Sequence, residues 1–383
     1  NQISAHGLKR LPAELYEIGK DIADPDAILV RSADMHSLTI AGSVRAIGRA
    51  GAGTNNIPVS AMSTRGVPVF NAPGANANAV KELVLAGMLM AARNLPAALQ
   101  FVAGLDASDP NMDSRVEDGK KAFAGFELTG HTLGVIGLGR IGCLVADAAI
   151  RLGMHVIGYD PDITVDAAWS LPAQVRKANS VAELLKASHF VSIHVPLVAA
   201  TKHLINAQAL ETMRPGAVLL NFSREGVVDD NALLAALAAE RLRCYVCDFP
   251  GPAIHRHPRA IALPHLGAST REAEDNCAQM VADQIRDYLE HGNIRNAVNF
   301  PDAVAPRESA YRVAIANANV PNMLGQISTA MAQANLNIRN MLNKSRGEMA
   351  YTLVDVDSEV PAAAIESIGR IQGVLSVRYL LAP

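Results

Sequence analysis

The stretch GVIGLGRIG, residues 134–142, decides the fold, because it joins a short apolar strand to the start of a helix through three spaced glycines. Gly137 permits a tight turn, Gly139 lets the backbone approach a pyrophosphate, and Gly142 allows the helix to pack close to the strand. The first helical residues, Arg140 and Ile141, bring the helix N-terminus to the phosphates. The stretch predicts a dinucleotide site; the alternative is a purely structural glycine turn.

An acidic residue at the end of the next strand supports the dinucleotide interpretation. Asp160 closes MHVIGYD, where its carboxylate is expected to hydrogen-bond the hydroxyls of an adenosine ribose. Pro161 and Asp162 follow, and neither is an arginine that could pair with a 2′-phosphate. The sequence therefore favours NAD over NADP.

Short β-rich runs alternate with helical segments through the middle of the chain. The runs are TLGVIG, MHVIGYD, HFVSIHV, GAVLLNFS and RCYVCDF, and the clearest helical segments between them are VAELLKA and DNALLAALAAE. Repeated β-α units of this kind predict an α/β fold with a parallel, doubly wound sheet.

The flanking regions have other patterns. Residues 1–73 carry short apolar strands in DAILVRSA, VRAIGRAGAG and GVPVFNAPG, and helices are predicted at 79–95 and 270–290. The polar segment 104–120 predicts a surface loop or a short helix. After a linker at 296–309, the remaining residues predict the order β-α-β-β-α-β, a ferredoxin-like module with a small core of its own.

Length and composition limit the classes of protein that fit. The chain has 383 residues, enough for two or three domains. Its net charge is −3 and it has no basic block, which argues against nucleic acid as the main partner. No apolar run reaches the roughly 18 residues of a membrane span, and LVLAGMLMAA at 83–92 predicts a buried helix. A short first strand is expected to precede Asn1.

Two short motifs raise the question of a metal or redox site. Cys244 and Cys247 form a C-x-x-C, but CYVCDF also fits a buried strand, and no second cysteine pair completes a tetrahedral site. His255 and His257 form an H-x-H without a neighbouring acidic or cysteine ligand. The sequence favours buried thiols, a polar loop and no metal, and reduced thiols fit a cytoplasmic protein.

Several stretches together resemble the D-2-hydroxyacid dehydrogenases: LGVIGLGRIG, NFSREGVVDD and ALPHLGAST. Upstream, GRAGAGTNNI and NAPGANANAVKEL, together with the C-terminal unit, narrow the resemblance to the branch that acts on D-3-phosphoglycerate. The resemblance spans nearly the whole chain. It implies NAD-dependent oxidation of D-3-phosphoglycerate to 3-phosphohydroxypyruvate, the first step of L-serine biosynthesis, by a homodimer or homotetramer.

The resemblance also implies a domain organisation and further contacts. A Rossmann domain at 74–274 is expected within a smaller flavodoxin-like substrate domain, formed by 1–73 and 275–303, and an ACT regulatory domain is expected at 309–383. Cofactor contacts beyond the glycine turn are implied at Pro196, Phe222, Asp248 and Ala268.

Two residues at strand ends are the candidate catalytic groups. Arg224 follows GAVLLNFS, and a guanidinium there can hold a 2-hydroxy acid's carboxylate and polarise its C2 oxygen. His265 follows AIALP, and an imidazole can take or give the hydroxyl proton. From the residues alone, Arg224 could equally be a surface arginine and His265 a structural histidine; the resemblance implies catalysis for both.

One expected carboxylate is missing. The family has a glutamate that accepts a hydrogen bond from the catalytic imidazole, but DFPGPAIHRHPRAIALPH, residues 248–265, offers only Asp248. Two interpretations follow: an active enzyme whose low-pH limb is shifted toward acid, or a catalytically silent NAD-binding regulator. A dehydrogenase of another D-2-hydroxy acid is a further alternative.

Basic groups and backbone amides upstream are candidates for binding the substrate. The resemblance links Arg31 and Arg49 to a substrate phosphate, although each could also pair with a surface acid. The backbone amides of the glycine loop could hold the carboxylate, namely those of Gly51, Ala52 and Gly53. The role of Lys81, at the start of the following helix, is left open.

The C-terminal module suggests regulation. The resemblance implies L-serine as an effector, with contacts at Asn317, Asn319 and Asn337, whose amides offer both donors and an acceptor. Relatives often have glycine where Asn322 stands, a change that could weaken the site. A module that serves only dimerisation is the alternative.

Overall fold

The computed structural model describes residues 2–382, and the chain divides into two compact units. We call them the split unit, formed by the chain up to Asn76 and from Arg271 onward, and the inserted unit, Ala77–Thr270. The C-terminal module therefore groups with the N-terminal region, and the β-α repeats form a unit of their own.

The N-terminal part of the split unit is a small parallel sheet. Its strands lie in the order β1-β2-β3, and Val30 at the end of the first is paired with Arg49 at the end of the second. The elements are α1 (Ala5–Leu8), β1 (Ala27–Val30), β2 (Ala46–Arg49), α2 (Val59–Thr64) and β3 (Val69–Phe70). Residues that follow β1 and β2 thus lie side by side at one edge of this sheet.

The inserted unit contains seven parallel strands in the order β10-β9-β8-β7-β4-β5-β6. They are β4 (Thr132–Ile136), β5 (His155–Tyr159), β6 (Arg176–Lys177), β7 (Phe190–Ile193), β8 (Ala217–Asn221), β9 (Leu242–Cys247) and β10 (Ala260–Ala262). The strand order reverses between β4 and β7, and ligands of open α/β sheets bind at the carboxyl edge near such a reversal. The predicted Rossmann-type sheet is confirmed.

Eight helices of the inserted unit connect or flank these strands, together with 3₁₀ turns at Lys120–Phe123 and Glu225–Val227. They are α3 (Ala77–Arg93), α4 (Leu95–Ala103), α5 (Met112–Gly119), α6 (Arg140–Arg151), α7 (Val165–Ser170), α8 (Val181–Ala187), α9 (Ala207–Thr212) and α10 (Asp230–Ala238). The helix predicted at 79–95 is confirmed as α3, which ends where Asn94 adopts a left-handed φ of 51°.

Both faces of the large sheet are apolar, as a parallel sheet covered by helices requires. In β8, Val218 and Leu220 face the layer that contains α3 and α6, whereas Leu219 faces the layer that contains α8 and α10. All five residues of this strand are buried. The sequence of these strands is therefore a continuous apolar run rather than an alternating one.

The C-terminal part of the split unit begins with a long helix and ends in an antiparallel sheet of order β12-β13-β11-β14. The elements are α11 (Arg271–His291), β11 (Tyr311–Ala318), α12 (Met323–Gln333), β12 (Ile338–Arg346), β13 (Met349–Val356), α13 (Ala362–Gly369) and β14 (Val374–Leu381). The predicted order β-α-β-β-α-β and the helix predicted at 270–290 are confirmed.

The module has the small core of its own that was expected, but it also contributes to a second core that it shares with the rest of the split unit. Val313 and Ile315 pack against the layer of α12 and α13, but Ala314 and Ala316 belong to a cluster shared with α11 and the three-stranded sheet. The cause is the alternation of large and small apolar residues along β11, which makes both faces of the strand apolar. The module is built onto the rest of the split unit.

A buried arginine fixes this junction. Arg312 donates to both oxygens of Asp355, at 2.6 and 2.8 Å, and to the carbonyl oxygens of His291, Ala305 and Pro306. One side chain thus ties the end of α11, the linker, β11 and β13 together. The linker 296–309 contains no glycine, so its backbone has few conformations available when Arg312 holds it.

Within residues 2–382, no single helix is long and apolar enough to cross a membrane. The bent pair Ala77–Arg93 and Leu95–Ala103, with an angle of 69° between its helices, meets the criterion jointly, by length and composition only.

Candidate functional site

The turn between β4 and α6 gives each glycine a different task. Gly137 has a φ of +90°, and a Cβ there would lie 2.6 Å from the carbonyl oxygen of His194. A Cβ on Gly142 would lie 2.0 Å from the carbonyl oxygen of Gly137, so only glycine lets α6 approach the strand. Among the described residues, no heavy atom lies within 4 Å of the corresponding position on Gly139. The turn therefore leaves its backbone open to a pyrophosphate.

Asp160 lies directly beside this turn. It follows β5, whose Tyr159 is paired with Ile136 of β4. Its Oδ2 accepts a hydrogen bond from the amide of Leu138 at 2.8 Å, and its Oδ1 accepts one from the amide of Asp162 at 3.0 Å. Two backbone donors thus hold the carboxylate at the turn, where a ribose can meet it. The open glycine turn and this carboxylate fit NAD.

The other predicted cofactor residues lie in different surroundings. Pro196 is exposed in the loop after β7, and Ala268 is half-buried after His265. The Phe222 side chain is buried in the core, where a Cβ on Gly87 of α3 would lie 3.1 Å from its ring. Its packing confines any cofactor contact to its backbone.

Arg224 lies in the loop after β8, at the carboxyl edge of the large sheet. The buried Asn221 donates to the carbonyl oxygen of Arg224 at 3.0 Å and accepts from the Ser223 amide at 3.1 Å. The Nδ2 of Asn221 also lies 3.4 Å from the hydroxyl of Tyr245. The Arg224 guanidinium is exposed and donates to the carbonyl oxygen of Ser223 at 2.7 Å. The backbone is therefore fixed, while the charged group faces solvent.

Asp248 is the buried carboxylate at the same edge. It is 2% exposed, its Oδ1 has no partner among the described residues, and the amide of Gly267 donates to the carboxylate. Burial raises the pKa of Asp248, and the positive charges of His265 and Arg224 oppose that rise. The exposed His265 ring packs on the ring of Phe249, with centroids 4.3 Å apart. The structure thus brings Arg224, His265 and Asp248 together.

The loop between Asp248 and His265 uses its other histidines locally. The His255 Nδ1 lies 2.7 Å from the carbonyl oxygen of Pro252, and the His257 Nδ1 accepts from the amide of Arg259 at 3.2 Å. In the part of the chain that the structure describes, no three His, Cys, Asp or Glu residues form a group that could hold a metal ion.

The C-x-x-C motif is split by the sheet. Cys244 lies in the apolar layer of α3 and α6, whereas Cys247 lies in the opposite layer. Burial raises the pKa of both thiols, to about 12 for Cys244 and about 11 for Cys247. The prediction of buried, reduced strand thiols is confirmed.

Sequence analysis missed two residues at this edge. Asn221 holds the Arg224 loop, and His194, after β7, has its carbonyl oxygen against the glycine turn. Burial lowers the pKa of His194 to about 4, and its Nε2 lies 2.8 Å from the hydroxyl of Ser192. A neutral imidazole therefore lies beside the turn at physiological pH. The sequence did contain a signal for both residues, because each lies at the end of an apolar run that forms a strand, at the carboxyl edge of the sheet.

In the split unit, the two predicted substrate arginines lie at the carboxyl edge of the small sheet. Arg31 directly follows β1, and Arg49, which is paired with Val30, ends β2. The Nη2 of Arg31 lies 2.6 Å from Oε1 of Glu274, in the first turn of α11. The sequence alternative of a surface ion pair therefore holds for Arg31 in this state.

The glycine loop offers fewer amides than expected. The amide of Gly51 donates to the carbonyl oxygen of Arg49 at 2.8 Å, so it is already used. A Cβ on Gly51, whose φ is +150°, would collide with the Arg49 guanidinium. Asn71 donates to the carbonyl oxygen of Ala52 at 2.6 Å and fixes the loop. The amides of Ala52 and Gly53 remain as candidates for a carboxylate.

Lys81 is tied to its own helix in the inserted unit. Its Nζ donates to Oδ1 of Asn78 at 2.6 Å and lies 3.6 Å from Oε1 of Glu82. Asn78 in turn donates to Glu82 at 2.9 Å. These contacts give Lys81 a local structural role.

The three predicted effector residues do not meet within one chain. Asn317 and Asn319 lie at the C-terminal end of β11, whereas Asn337 precedes β12 at the opposite end of the sheet. Asn317 is buried, and its Oδ1 has no partner among the described residues. Asn322 has a left-handed φ of 63°, which asparagine tolerates better than most residues, so the loop keeps a glycine-like conformation.

Residues 85–267 match the family model described as D-isomer specific 2-hydroxyacid dehydrogenase, NAD binding domain. D-3-phosphoglycerate dehydrogenase of Escherichia coli K12 is 32% identical over 344 residues, which cover 86% of this chain and 79% of that protein. The protein of the same name from Methanocaldococcus jannaschii is 38% identical over 295 residues, 75% of this chain and 54% of the relative. The chain thus spans about half the length of the archaeal relative.

Among solved structures, NAD⁺-bound 3-phosphoglycerate dehydrogenase from Entamoeba histolytica is similar, with a TM-score of 0.58 at 25% identity. The match covers 78% of this chain and 95% of that one. A glyoxylate reductase from Paecilomyes thermophila matches with the same TM-score of 0.58 at 27% identity, over 71% of this chain and 83% of that one.

Proposed function

This chain belongs to the D-isomer-specific 2-hydroxyacid dehydrogenases, which use NAD, and on that basis we propose that it oxidises D-3-phosphoglycerate to 3-phosphohydroxypyruvate. The observation that carries the proposal is the arrangement of Arg224, His265 and Asp248 at the carboxyl edge of the large sheet. An exposed guanidinium and an exposed imidazole both lie within electrostatic range of one buried carboxylate, in the unit whose glycine turn fits NAD. This arrangement can hold a hydroxy acid and move its proton.

Arg224 binds and polarises the substrate. Its planar guanidinium presents paired donors to a carboxylate and can also donate to the C2 oxygen, on which charge develops. Asn221 keeps the Arg224 peptide in place, so the side chain can reach the ligand without a rearrangement of the loop.

His265 carries the proton. In the oxidative direction it must be neutral to accept the hydroxyl proton, and in the reductive direction it must be protonated to return it to the C2 oxygen. The glycine turn and Asp160 would hold NAD, which would accept the hydride from C2 of the substrate. Phe249 packs on the imidazole and limits the orientations of its ring.

Asp248 takes over the electrostatic task of the missing glutamate. Its carboxylate is buried, one of its oxygens lacks a partner among the described residues, and its charge interacts with both His265 and Arg224. A negative charge there stabilises the protonated imidazole as it forms. The chain therefore keeps a counter-charge for His265 although the loop 249–264 contains no acid.

The substrate phosphate is assigned to the split unit. Arg31 and Arg49 lie on neighbouring strand ends, and the amides of Ala52 and Gly53, in the loop that follows the second strand, are proposed to assist in binding the carboxylate. We assign this unit, without its C-terminal module, to the substrate phosphate, and the inserted unit to NAD and to the reacting groups of Arg224 and His265.

The C-terminal module is proposed to be an ACT domain that binds L-serine between two copies of the chain, in keeping with a role in serine biosynthesis. The buried Asn317 has an unpartnered Oδ1, which suits the ammonium group of an amino acid. Because Asn337 lies at the opposite end of the sheet, its contribution requires a second copy.

The test is a substrate panel with NADH: 3-phosphohydroxypyruvate, hydroxypyruvate, glyoxylate and 2-oxoisocaproate, for the wild type, His265→Gln and the matched control His255→Gln. We expect the highest kcat/KM for 3-phosphohydroxypyruvate, a loss of about 10²- to 10⁴-fold in His265→Gln, and no change in the control. A higher kcat/KM for an unphosphorylated acid would show that D-3-phosphoglycerate is not the substrate. Tight NADH binding without turnover on any of the acids would show that the protein is a catalytically silent regulator and not an enzyme.

A further inference from the structure

One feature of the split unit is not used by the proposed reaction: the ion pair between Arg31 and Glu274. The two residues are 243 positions apart in sequence, yet Nη2 and Oε1 lie 2.6 Å apart. Glu274 lies in the first turn of α11, and this helix contacts β1 and β2. An acid of this chain therefore reaches the group to which the substrate phosphate is assigned.

The surroundings of the pair are strongly charged. The buried thiol of Cys277, one helical turn after Glu274, has its pKa raised by burial, lowered by Arg49 and Arg31, and raised by Glu274. The three charged groups thus all lie within electrostatic range of this thiol. Asp275, the next acid on the helix, is engaged elsewhere, since His6 and Ser4 bind its carboxylate. Glu274 is thus the acid paired with Arg31, and its charge acts on the same thiol as that of Arg49.

The pair is accessible. The side chains of Arg31 and Glu274 are 38% and 42% exposed. Exposed pairs of this kind contribute at most about 1 kcal/mol, which corresponds to about a fivefold change in an equilibrium constant. A phosphate dianion carries more charge than a carboxylate and three acceptor oxygens, so it can displace Glu274 at modest cost.

We propose that Glu274 is a specificity-determining residue that occupies Arg31 in place of the substrate phosphate and must be displaced when a phosphorylated acid binds. This inference rests on the proposed function. The carboxylate weakens binding of every phosphate dianion by the free energy of the pair. In return, it neutralises Arg31 when an unphosphorylated acid is bound, so such a ligand does not leave an uncompensated guanidinium.

The test compares Glu274→Gln with Glu272→Gln, a matched control that removes the same charge from the same turn of α11. Glu272 is exposed and lies outside the pair. The quantity measured is the ratio of KM for 3-phosphohydroxypyruvate to KM for hydroxypyruvate. We expect it to fall about two- to fivefold in Glu274→Gln and to stay at the wild-type value in Glu272→Gln. Glu274→Asp, which keeps the charge but shortens the side chain, should give an intermediate ratio.

A second readout separates this inference from the proposed function. The Kd for inorganic phosphate, measured by calorimetry on the full chain, requires no turnover. Binding that is about two- to fivefold tighter in Glu274→Gln supports the inference whichever acid the wild type reduces. An unchanged or higher Kd, or a KM ratio that rises because Arg31 has lost its orientation, overturns it. A wild type that shows no preference for the phosphorylated acid rejects the proposed substrate only.

Discussion

Two arginine–carboxylate pairs in the split unit have the same N–O distance and opposite surroundings. Arg312 and Asp355 are 2.6 Å apart with side chains 1% and 2% exposed, and Arg31 and Glu274 are 2.6 Å apart at 38% and 42%. The first guanidinium donates to five acceptor atoms. The second is in contact with solvent. An arginine–carboxylate pair therefore stabilises the fold where it is buried and all its hydrogen bonds are made. Where it is exposed, a ligand can displace the carboxylate.

The largest expected effect is on the enclosed pair. Arg312→Met should lower the free energy of unfolding by about 3–5 kcal/mol, because it leaves the Asp355 carboxylate buried without its counter-charge. Arg31→Met should change it by less than about 1 kcal/mol. Urea unfolding of both variants measures the contrast. Equal losses would abolish the distinction between the pairs, and the double variant Arg312→Met, Asp355→Leu should recover most of the stability.

Arg224 extends the comparison to an exposed guanidinium assigned to the substrate. Arg224→Lys should lower kcat/KM for 3-phosphohydroxypyruvate by about 10²- to 10³-fold, about 3–4 kcal/mol, because a lysine cannot present the paired donors. The urea midpoint should not move. Steady-state kinetics on variant and wild type provide the measurement, and a loss of stability that matches the loss of activity would make Arg224 structural instead.

His194 extends the comparison to a titratable group whose pKa is shifted by burial alone, without a counter-charge. Burial lowers its pKa from 6.5 to about 4. Between these pH values the imidazole is therefore protonated in the unfolded chain and neutral in the native protein. The native state should therefore lose about 3 kcal/mol of stability as the pH falls from about 6.5 to 4. His194→Asn should remove that part of the pH dependence, and His155→Asn, at an exposed histidine, should retain it. Urea midpoints at pH 7 and 4.5 decide; a wild-type slope in His194→Asn would refute the assignment.

The smallest effect concerns the hydroxyl that supports the Arg224 loop. Tyr245→Phe removes the group that lies 3.4 Å from Asn221, and it should cost about 0.5–1 kcal/mol of stability. Because Asn221 keeps its bond to the Arg224 carbonyl oxygen, KM should rise less than about threefold. Thermal unfolding and kinetics measure both. A KM increase as large as that of Arg224→Lys would show that Tyr245 acts on the site more directly.

The large sheet and its cofactor turn were predictable because their determinants are local in sequence. Gly137, Gly139 and Gly142 lie within six residues, and Asp160 ends the next strand. The strand that contains Val313 and Ile315 was predicted, but its second apolar face, formed by Ala314 and Ala316, was not, because nothing local in sequence says which part of the chain covers that face. That choice is made by tertiary packing.

The pairing of Arg31 with Glu274 could not be predicted for the same reason. No rule of spacing selects one of the 37 acidic residues of the chain as the partner of an arginine 243 positions away. Asp248 was visible as the one acid of its segment, yet its burial and its unpartnered oxygen depend on how the loop closes over it. Arg31 and Asp248 could be named from the sequence, but the contacts that each makes depend on tertiary packing.

The central claim, that His265 carries the proton, is tested most directly by the pH dependence of NADH oxidation with 3-phosphohydroxypyruvate from pH 5 to 10. The measurement compares wild type and His265→Gln. We expect turnover of the wild type to decline as the pH rises, because the imidazole must be protonated to donate a proton to the substrate. The residual turnover of the variant should not show that decline. The same decline in both proteins, or NADH binding without wild-type turnover at any pH, would contradict it.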